Sequence, residues 1–273
     1  MFKEIFENVR DNHLRIHNIT NYVTANDCAN MLLACGAAPI MADDAHEVEE
    51  ITSMCDGLNL NMGTLNSERI KAMINAGKRA NVCGHPIVLD PVGVGVSTFR
   101  MEASKQLLDA ISVAVIKGNV SEIRALALGQ NMTTGVDAAQ VDQVTEENVE
   151  EMVAFAKAFS KERNAVIVMT GRMDVVADEN KAYCIRNGHP LMASITGTGC
   201  QLSALTTAFV AANPNQILEA VVAAVCTMGI AGEIAYKRMG ALDGNASYRN
   251  YVIDAVCQMT TEQFEKGADY EVR

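Results

Sequence analysis

The stretch PLMASITGTGCQLSALTTAFVAA (190–212) decides how the rest of the chain is read. A short β-branched run ends in Thr196-Gly197-Thr198-Gly199-Cys200, and a helical pattern starts immediately afterwards. Leu202, Leu205, Phe209 and Ala212 recur at three- and four-residue spacing and mark one apolar helix face. The two glycines let the backbone turn tightly and approach a ligand without a Cβ in the way. The first unpaired N–H groups of the helix point into that turn, which makes it a natural seat for an anion. Cys200 stands at the seat, a setting that suits a reactive sulfur. The same letters also fit a glycine-bearing loop that opens a buried helix around an inert core cysteine, and the stretch alone does not separate the two readings.

Outward from this stretch, strands and helices alternate. Residues 2–15 carry a weak helical pattern, and a polar, Asn/Thr-rich stretch leads into an apolar helix near 25–35. Short strands follow at Ala38 to Met41, Gly57 to Asn61, Pro86 to Leu89, Ser112 to Ile116 and Ala165 to Met169. Helices separate them at 47–55, 67–84 (Ser67 as cap), 100–110 and 146–162, with a stretch rich in Asp, Gln and Thr at 130–145. Asp174 to Ala177 and Ala182 to Ile185 flank a turn and read as an antiparallel hairpin. Asn213-Pro214 caps and starts a second C-terminal helix reaching Arg238, and a third spans 246–266. With no linker and no internal repeat, residues 1–273 read as a single domain.

Such alternation predicts an α/β fold with a mostly parallel sheet and helices on both faces. Ligands in these sheets sit beyond the carboxyl ends of the strands. Met41, Asn61, Gly63, Asp90, Lys117, Asn119, Thr170 and Gly171 all fall there. That gathering of small, polar and charged residues favours the functional reading of the opening stretch.

The formal net charge of −11 argues against nucleic acid or an anionic membrane as partner. A phosphate ligand must then be held locally, by helix ends, a metal ion or a few placed cations. The eight cysteines form no C-x-x-C pair and no zinc-finger spacing, and most read as small core residues. The N-terminus is polar and lacks the apolar core of a signal peptide, and no apolar run is expected to cross a bilayer. These features point to a reducing, cytoplasmic setting.

Motifs narrow the chemistry. There is no G-x-x-x-x-G-K-[ST], no complete G-x-G-x-x-G and no G-x-S-x-G, and the five histidines lack metal-ligand spacing. What remains is an anion seat plus carboxylates. Asp90 ends a strand before Pro91, and Glu122 lies in GNVSEI at the start of a helix. Two such carboxylates suit Mg²⁺ shared with phosphate oxygens, although each is also an ordinary turn or first-turn residue. Phosphoryl transfer from a nucleotide to an alcohol would use these parts, with positioning, charge neutralisation and a base for the hydroxyl proton. Cys200 is placed as that base would be, or is simply the small side chain that fits; no His or Asn stands out as a partner for a nucleophilic role.

The segments ITNYVTAND (19–27), ANMLLACGAAPIM (29–41), LNMGTL (60–65), PIVLDPVGVG (86–95), IKGNVSEI (116–123), VMTGRMDVV (168–176) and ITGTGC (195–200) together carry a specific pattern. By them the chain closely resembles the hydroxyethylthiazole kinases, ribokinase-like enzymes of thiamine biosynthesis and salvage. Ribokinase relatives, including the hydroxymethylpyrimidine kinases, usually carry G-x-G-D where this chain has Gly197-Thr198-Gly199-Cys200. The resemblance implies a ribokinase-like three-layer α/β/α fold and a homotrimer with active sites between subunits. It implies phosphorylation of the primary alcohol of 5-(2-hydroxyethyl)-4-methylthiazole by ATP with Mg²⁺. Matched residue to residue, Met41, Asn21, Val23 and Gly197 would bind the alcohol, and Cys200 would stand by its hydroxyl. Lys117, Thr170 and Gly199 would serve ATP, Asp90 and Glu122 would serve Mg²⁺, and Arg172 adds a cation on the nucleotide side. Lys117 departs from relatives with Arg there, keeping the charge but not the bidentate fork. Three rivals make distinct predictions: a kinase for the pyrimidine half of thiamine, an ADP-dependent dehydratase of similar fold, and a sensor that turns nothing over.

Overall fold

The computed structural model describes residues 2–129 and 143–273; most of the stretch at 130–145 lies outside them. Nine strands form one sheet in the order β2-β1-β3-β4-β5-β6-β7-β8-β9. Strands β1 (Arg15–Ile19), β2 (Ala38–Ile40), β3 (Gly57–Asn61), β4 (Ile87–Asp90), β5 (Val115–Asn119) and β6 (Val166–Thr170) are parallel. The hairpin β7 (Asp174–Ala177) and β8 (Ala182–Ile185) and the C-terminal β9 (Tyr270–Val272) continue it antiparallel.

Alternating strand residues feed two apolar layers. Ile16, Val88, Val115, Val166 and Val168 pack with α1 (Phe2–Asp11), α2 (Ala25–Cys35) and the C-terminal helices. Leu58, Leu60, Ile87, Leu89, Ile116 and Ile167 pack with the helices of the opposite face. Those are α3 (Val48–Ser53), α4 (Ser67–Cys83), α5 (Thr98–Ala110), α6 (Val120–Leu128) and α7 (Val149–Arg163). The architecture is the three-layer α/β/α arrangement expected from the sequence.

The opening stretch forms a 3₁₀ turn at Pro190–Ser194 and then α8 (Thr198–Ala212). Every residue of α8 from Cys200 to Val210 is buried, so the helix is covered all round and not on one face only. It lies on β1, β3 and β4 beneath α1, α2 and α9 (Ile217–Arg238). Its approach to β3 is close: a Cβ on Gly57 would lie 3.1 Å from Ala211 and 3.2 Å from Thr207.

Several expectations are corrected. β1 went unread because its inward residues His17 and Asn18 are polar, yet both are buried and bonded. His17 Nε2 donates to the Ala42 carbonyl at 2.8 Å, and its Nδ1 lies 2.9 Å from the Thr52 hydroxyl. β2 is a half-exposed edge strand, not a buried one. The cap of α4 is Asn66, whose side chain accepts from Arg69 N, rather than Ser67. Asn213 ends α8 by donating to the Ile5 and Phe209 carbonyls, and α9 begins only at Ile217. The span 246–266 divides into α10 (Asn245–Gln258) and α11 (Thr261–Gly267), because Thr260 opens a capping box with Gln263. Helix α9 is long and apolar enough to cross a membrane, against the expectation that no run reaches that length; here it is mostly buried in the core.

Candidate active site

The parallel strands deliver their last residues to one edge. In register, Asn61 pairs with Asp90 and Asn119 with Thr170, and Lys117 lies two residues before the end of β5. Asn21 follows β1 on the same side, and α8 brings its N-terminus down onto the group. Lys117 Nζ donates to the Gly199 carbonyl at 3.1 Å, and the Ser203 hydroxyl lies 2.5 Å from Asp90 Oδ2.

These side chains form a directed hydrogen-bond chain. Asn21 Oδ1 accepts from the Thr24 backbone N–H at 3.1 Å, which can only donate, so Asn21 Nδ2 must face the other way. It donates to Asn61 Oδ1 at 2.9 Å and to the Cys200 sulfur at 3.2 Å. Asn61 Oδ1 also takes the Gly63 N–H, which fixes its own orientation and aims Nδ2 at Asp90 Oδ2, 2.9 Å away. Two backbone N–H groups thus make the Cys200 sulfur an acceptor. Gly63 has to be glycine here, because a Cβ would sit 2.7 Å from the Asn21 Cβ.

Asp90 is 1% exposed and its two oxygens are used unequally. Oδ2 faces Asn61, Lys117 at 3.3 Å and Ser203, while buried Oδ1 has no partner among the described residues. An unpartnered carboxylate oxygen is costly, and a cation is one way to satisfy it. Glu122 lies close enough to be influenced by Asp90: burial and then the Asp90 charge push its carboxyl above the usual range. Its Oε1 accepts from Gly93 N at 2.8 Å and its Oε2 from Asn119 N at 2.9 Å, the latter in a capping box that starts α6. Among the described residues no three His, Cys, Asp or Glu side chains gather as a cage. Mg²⁺ needs only one or two carboxylates and keeps several waters, so this pair suits it.

Lys117 is buried beneath the glycine turn instead of projecting from it. Burial opposes its charge, but Asp90 and Glu122 outweigh burial and hold it cationic above the usual lysine range. A Cβ on Gly199 would fall 2.9 Å from Lys117 Nζ. Gly197 has φ +88°, and a Cβ there would lie 2.2 Å from Thr24 Cγ2. The demand for glycine at 197 therefore comes from backbone conformation and from Thr24, and not only from the anion seat.

Thr170 is half-buried and donates to the Gly118 carbonyl at 3.3 Å. Next to it, Gly171 N donates to Asp174 at 2.8 Å; burial pushes the Asp174 carboxyl up to about 7 against that bond and the Lys117 charge. Arg172 is exposed. Met41 and Val23 lie at the surface, 40% and 63% exposed, Val23 two residues after the buried Asn21. The corner itself is an open shelf, with Thr196 exposed and Gly197 to Gly199 half-buried. A groove of about 280 Å³ between α4 and α5, at Ile70, Ile74 and Phe99, lies elsewhere.

Sequence reasoning did not single out Ser203 or Thr24, and it noted Asn61 only as a strand end. Ser203 was findable, since it sits three residues beyond Cys200 on the same helix face. Thr24 carried no signal, because its role depends on how β1 is placed.

A family model described as the hydroxyethylthiazole kinase family matches residues 6–262. The chain is 56% identical over 271 residues to a hydroxyethylthiazole kinase of Clostridium acetobutylicum, covering 99% of each. It superposes on the solved hydroxyethylthiazole kinase protein from Pyrococcus horikoshii OT3 with a TM-score of 0.88 at 35% identity, covering 100% of this chain and 98% of that one. A ribokinase-like superfamily protein from Enterococcus faecalis V583 shares the fold, with a TM-score of 0.63 at 14% identity over 93% of both chains.

Proposed function

The chain belongs to the hydroxyethylthiazole kinase family, and from that premise we propose that it transfers the terminal phosphoryl of ATP to the primary alcohol of 5-(2-hydroxyethyl)-4-methylthiazole, a step of thiamine salvage. The observation that carries the reading is the convergence of Cys200, Asp90 and Lys117 on the N-terminus of one buried helix. Amide N–H groups at Gly197 to Cys200 receive the transferring phosphoryl, where a helix N-terminus favours negative charge. Cys200, its sulfur accepting from Asn21, stands by the alcohol and takes its proton as the oxygen attacks. Gly197, Asn21, Val23 and Met41 form the thiazole pocket, and a polarisable Met suits a small sulfur heterocycle.

Lys117 pairs with the Asp90 carboxylate and braces the Gly199 turn that carries the phosphate amides. Gly199, Thr170 and Lys117 form the ATP side. Asp90 and Glu122 would hold Mg²⁺, which neutralises phosphate charge when bound. The open shelf at residues 196–199 supports a homotrimer in which a neighbouring subunit closes each site, formed by one kinase domain per chain in a cytoplasmic setting. Incubation with ATP, Mg²⁺ and both thiamine-precursor alcohols, with mass detection of products, tests the reading. The thiazole phosphate is expected; phosphorylation of the pyrimidine alcohol alone, or of neither, contradicts it.

A further inference from the structure

Arg69 is 3% exposed, and it is the one arginine buried to this degree among the described residues. A buried guanidinium must be paired and bonded, and its planar fork sets several partners at fixed angles at once. Arg69 NH2 donates to Asp43, and NH1 donates to Thr64 Oγ1 at 3.1 Å. Its Cζ lies 4.2 Å from the centre of the Tyr22 ring, which covers it from outside. The Thr64 hydroxyl also accepts from Tyr22 N at 3.3 Å, so both its lone pairs are engaged. Thr64 has φ +44°, a costly conformation for a β-branched residue, on the turn that leads from Asn61.

Each partner of Arg69 belongs to a different segment. Asp43 follows Met41 by two residues, with Ala42 between them anchored on His17. Tyr22 sits between Asn21 and Val23. We propose that Arg69 is a positioning residue for the acceptor alcohol: its buried guanidinium ties the loop bearing Met41 and the loop bearing Val23 to the turn after β3, and so sets the spacing between the two pocket walls. The inference rests on the reading that Met41 and Val23 line that pocket. Lys117 and Thr170, on the nucleotide side, share no hydrogen bond or ion pair with Arg69 among the described residues.

The test is steady-state kinetics of the full-length protein, varying the thiazole alcohol and ATP separately. Arg69→Met keeps the apolar stem and removes the fork, and is expected to raise KM for the alcohol about tenfold with KM for ATP unchanged. Arg69→Lys, which retains one point charge, should recover part of the loss. Asp43→Asn weakens one tie from the solvent side by removing its charge, and serves if Arg69→Met does not fold; its alcohol KM should rise about threefold, again without a change for ATP. Met41→Ala is the control for the pocket. A raised alcohol KM in Met41→Ala with unaltered values in Arg69→Met and Asp43→Asn overturns the inference and leaves the pocket standing. Equal increases for alcohol and ATP overturn it too, because general loosening and not wall spacing would then be the cause. An unchanged alcohol KM in Met41→Ala removes the pocket assignment and the inference with it.

Discussion

The Asn21 amide has both protons engaged, one on Asn61 and one on the Cys200 sulfur, and its oxygen is held by the Thr24 N–H. The donor aimed at sulfur orients Cys200 as an acceptor, the role a base at the alcohol needs. Cys200→Ala is therefore expected to lower kcat about 100-fold, with a much smaller rise in KM for the alcohol. An unchanged kcat would show that the thiol only packs. Asp174 offers a separate check. Its folded-state pKa of about 7 lies above the usual 3.8, so its ionisation penalises the folded state increasingly from pH 4 to 7. Asp174→Asn keeps an oxygen for Gly171 N and escapes that penalty. Its melting temperature should match the parent near pH 4 and exceed it above pH 7; a gap independent of pH would refute the buried-carboxyl account. At this scale the sequence displayed Cys200, Asp90, Glu122 and Lys117 as residue types at strand and helix ends. It could not display the direction of the Asn21–Asn61 chain, which depends on two backbone N–H groups brought close by folding.

Helix α8 is the element through which these residues act together. Its N-terminal turn provides the amides, its sixth residue, Ser203, donates to Asp90, and its small residues let it settle onto β3. Gly197→Ala places a side chain at φ +88° and into Thr24, so it should destabilise the fold by more than about 1 kcal/mol as well as suppress turnover. Chemical denaturation and activity assays on the same sample read both effects. Full stability and full activity in that variant would remove the glycine corner from the account. The start of α8 was legible, because paired glycines precede a clear three-four spacing. β1 was not legible: a strand whose inward residues include His17 and Asn18 looks like a polar loop until its bonds are known. β9 is three residues long and pairs with β8, too short for any periodicity to mark it.

On the scale of the whole molecule, the parallel order β2-β1-β3-β4-β5-β6 brings residues from far apart in the chain to one edge. Alternating strands and helices made that arrangement readable before any contact was known, because such sheets bind ligands at the carboxyl ends of their strands. What alternation cannot convey is how the shelf is closed. Val23 and Met41 stay exposed on the single chain, which suits a site completed by a neighbouring copy. Native mass measurement should give three chains per particle; a monomer that remains fully active would discard the shared site. The central claim is that the helix corner directs phosphoryl transfer to the thiazole alcohol, and the most direct test is the product. With ATP, Mg²⁺ and 5-(2-hydroxyethyl)-4-methylthiazole, the protein should yield the thiazole phosphate and ADP in equal amounts. Consumption of ATP without that ester, or no consumption at all, would contradict it.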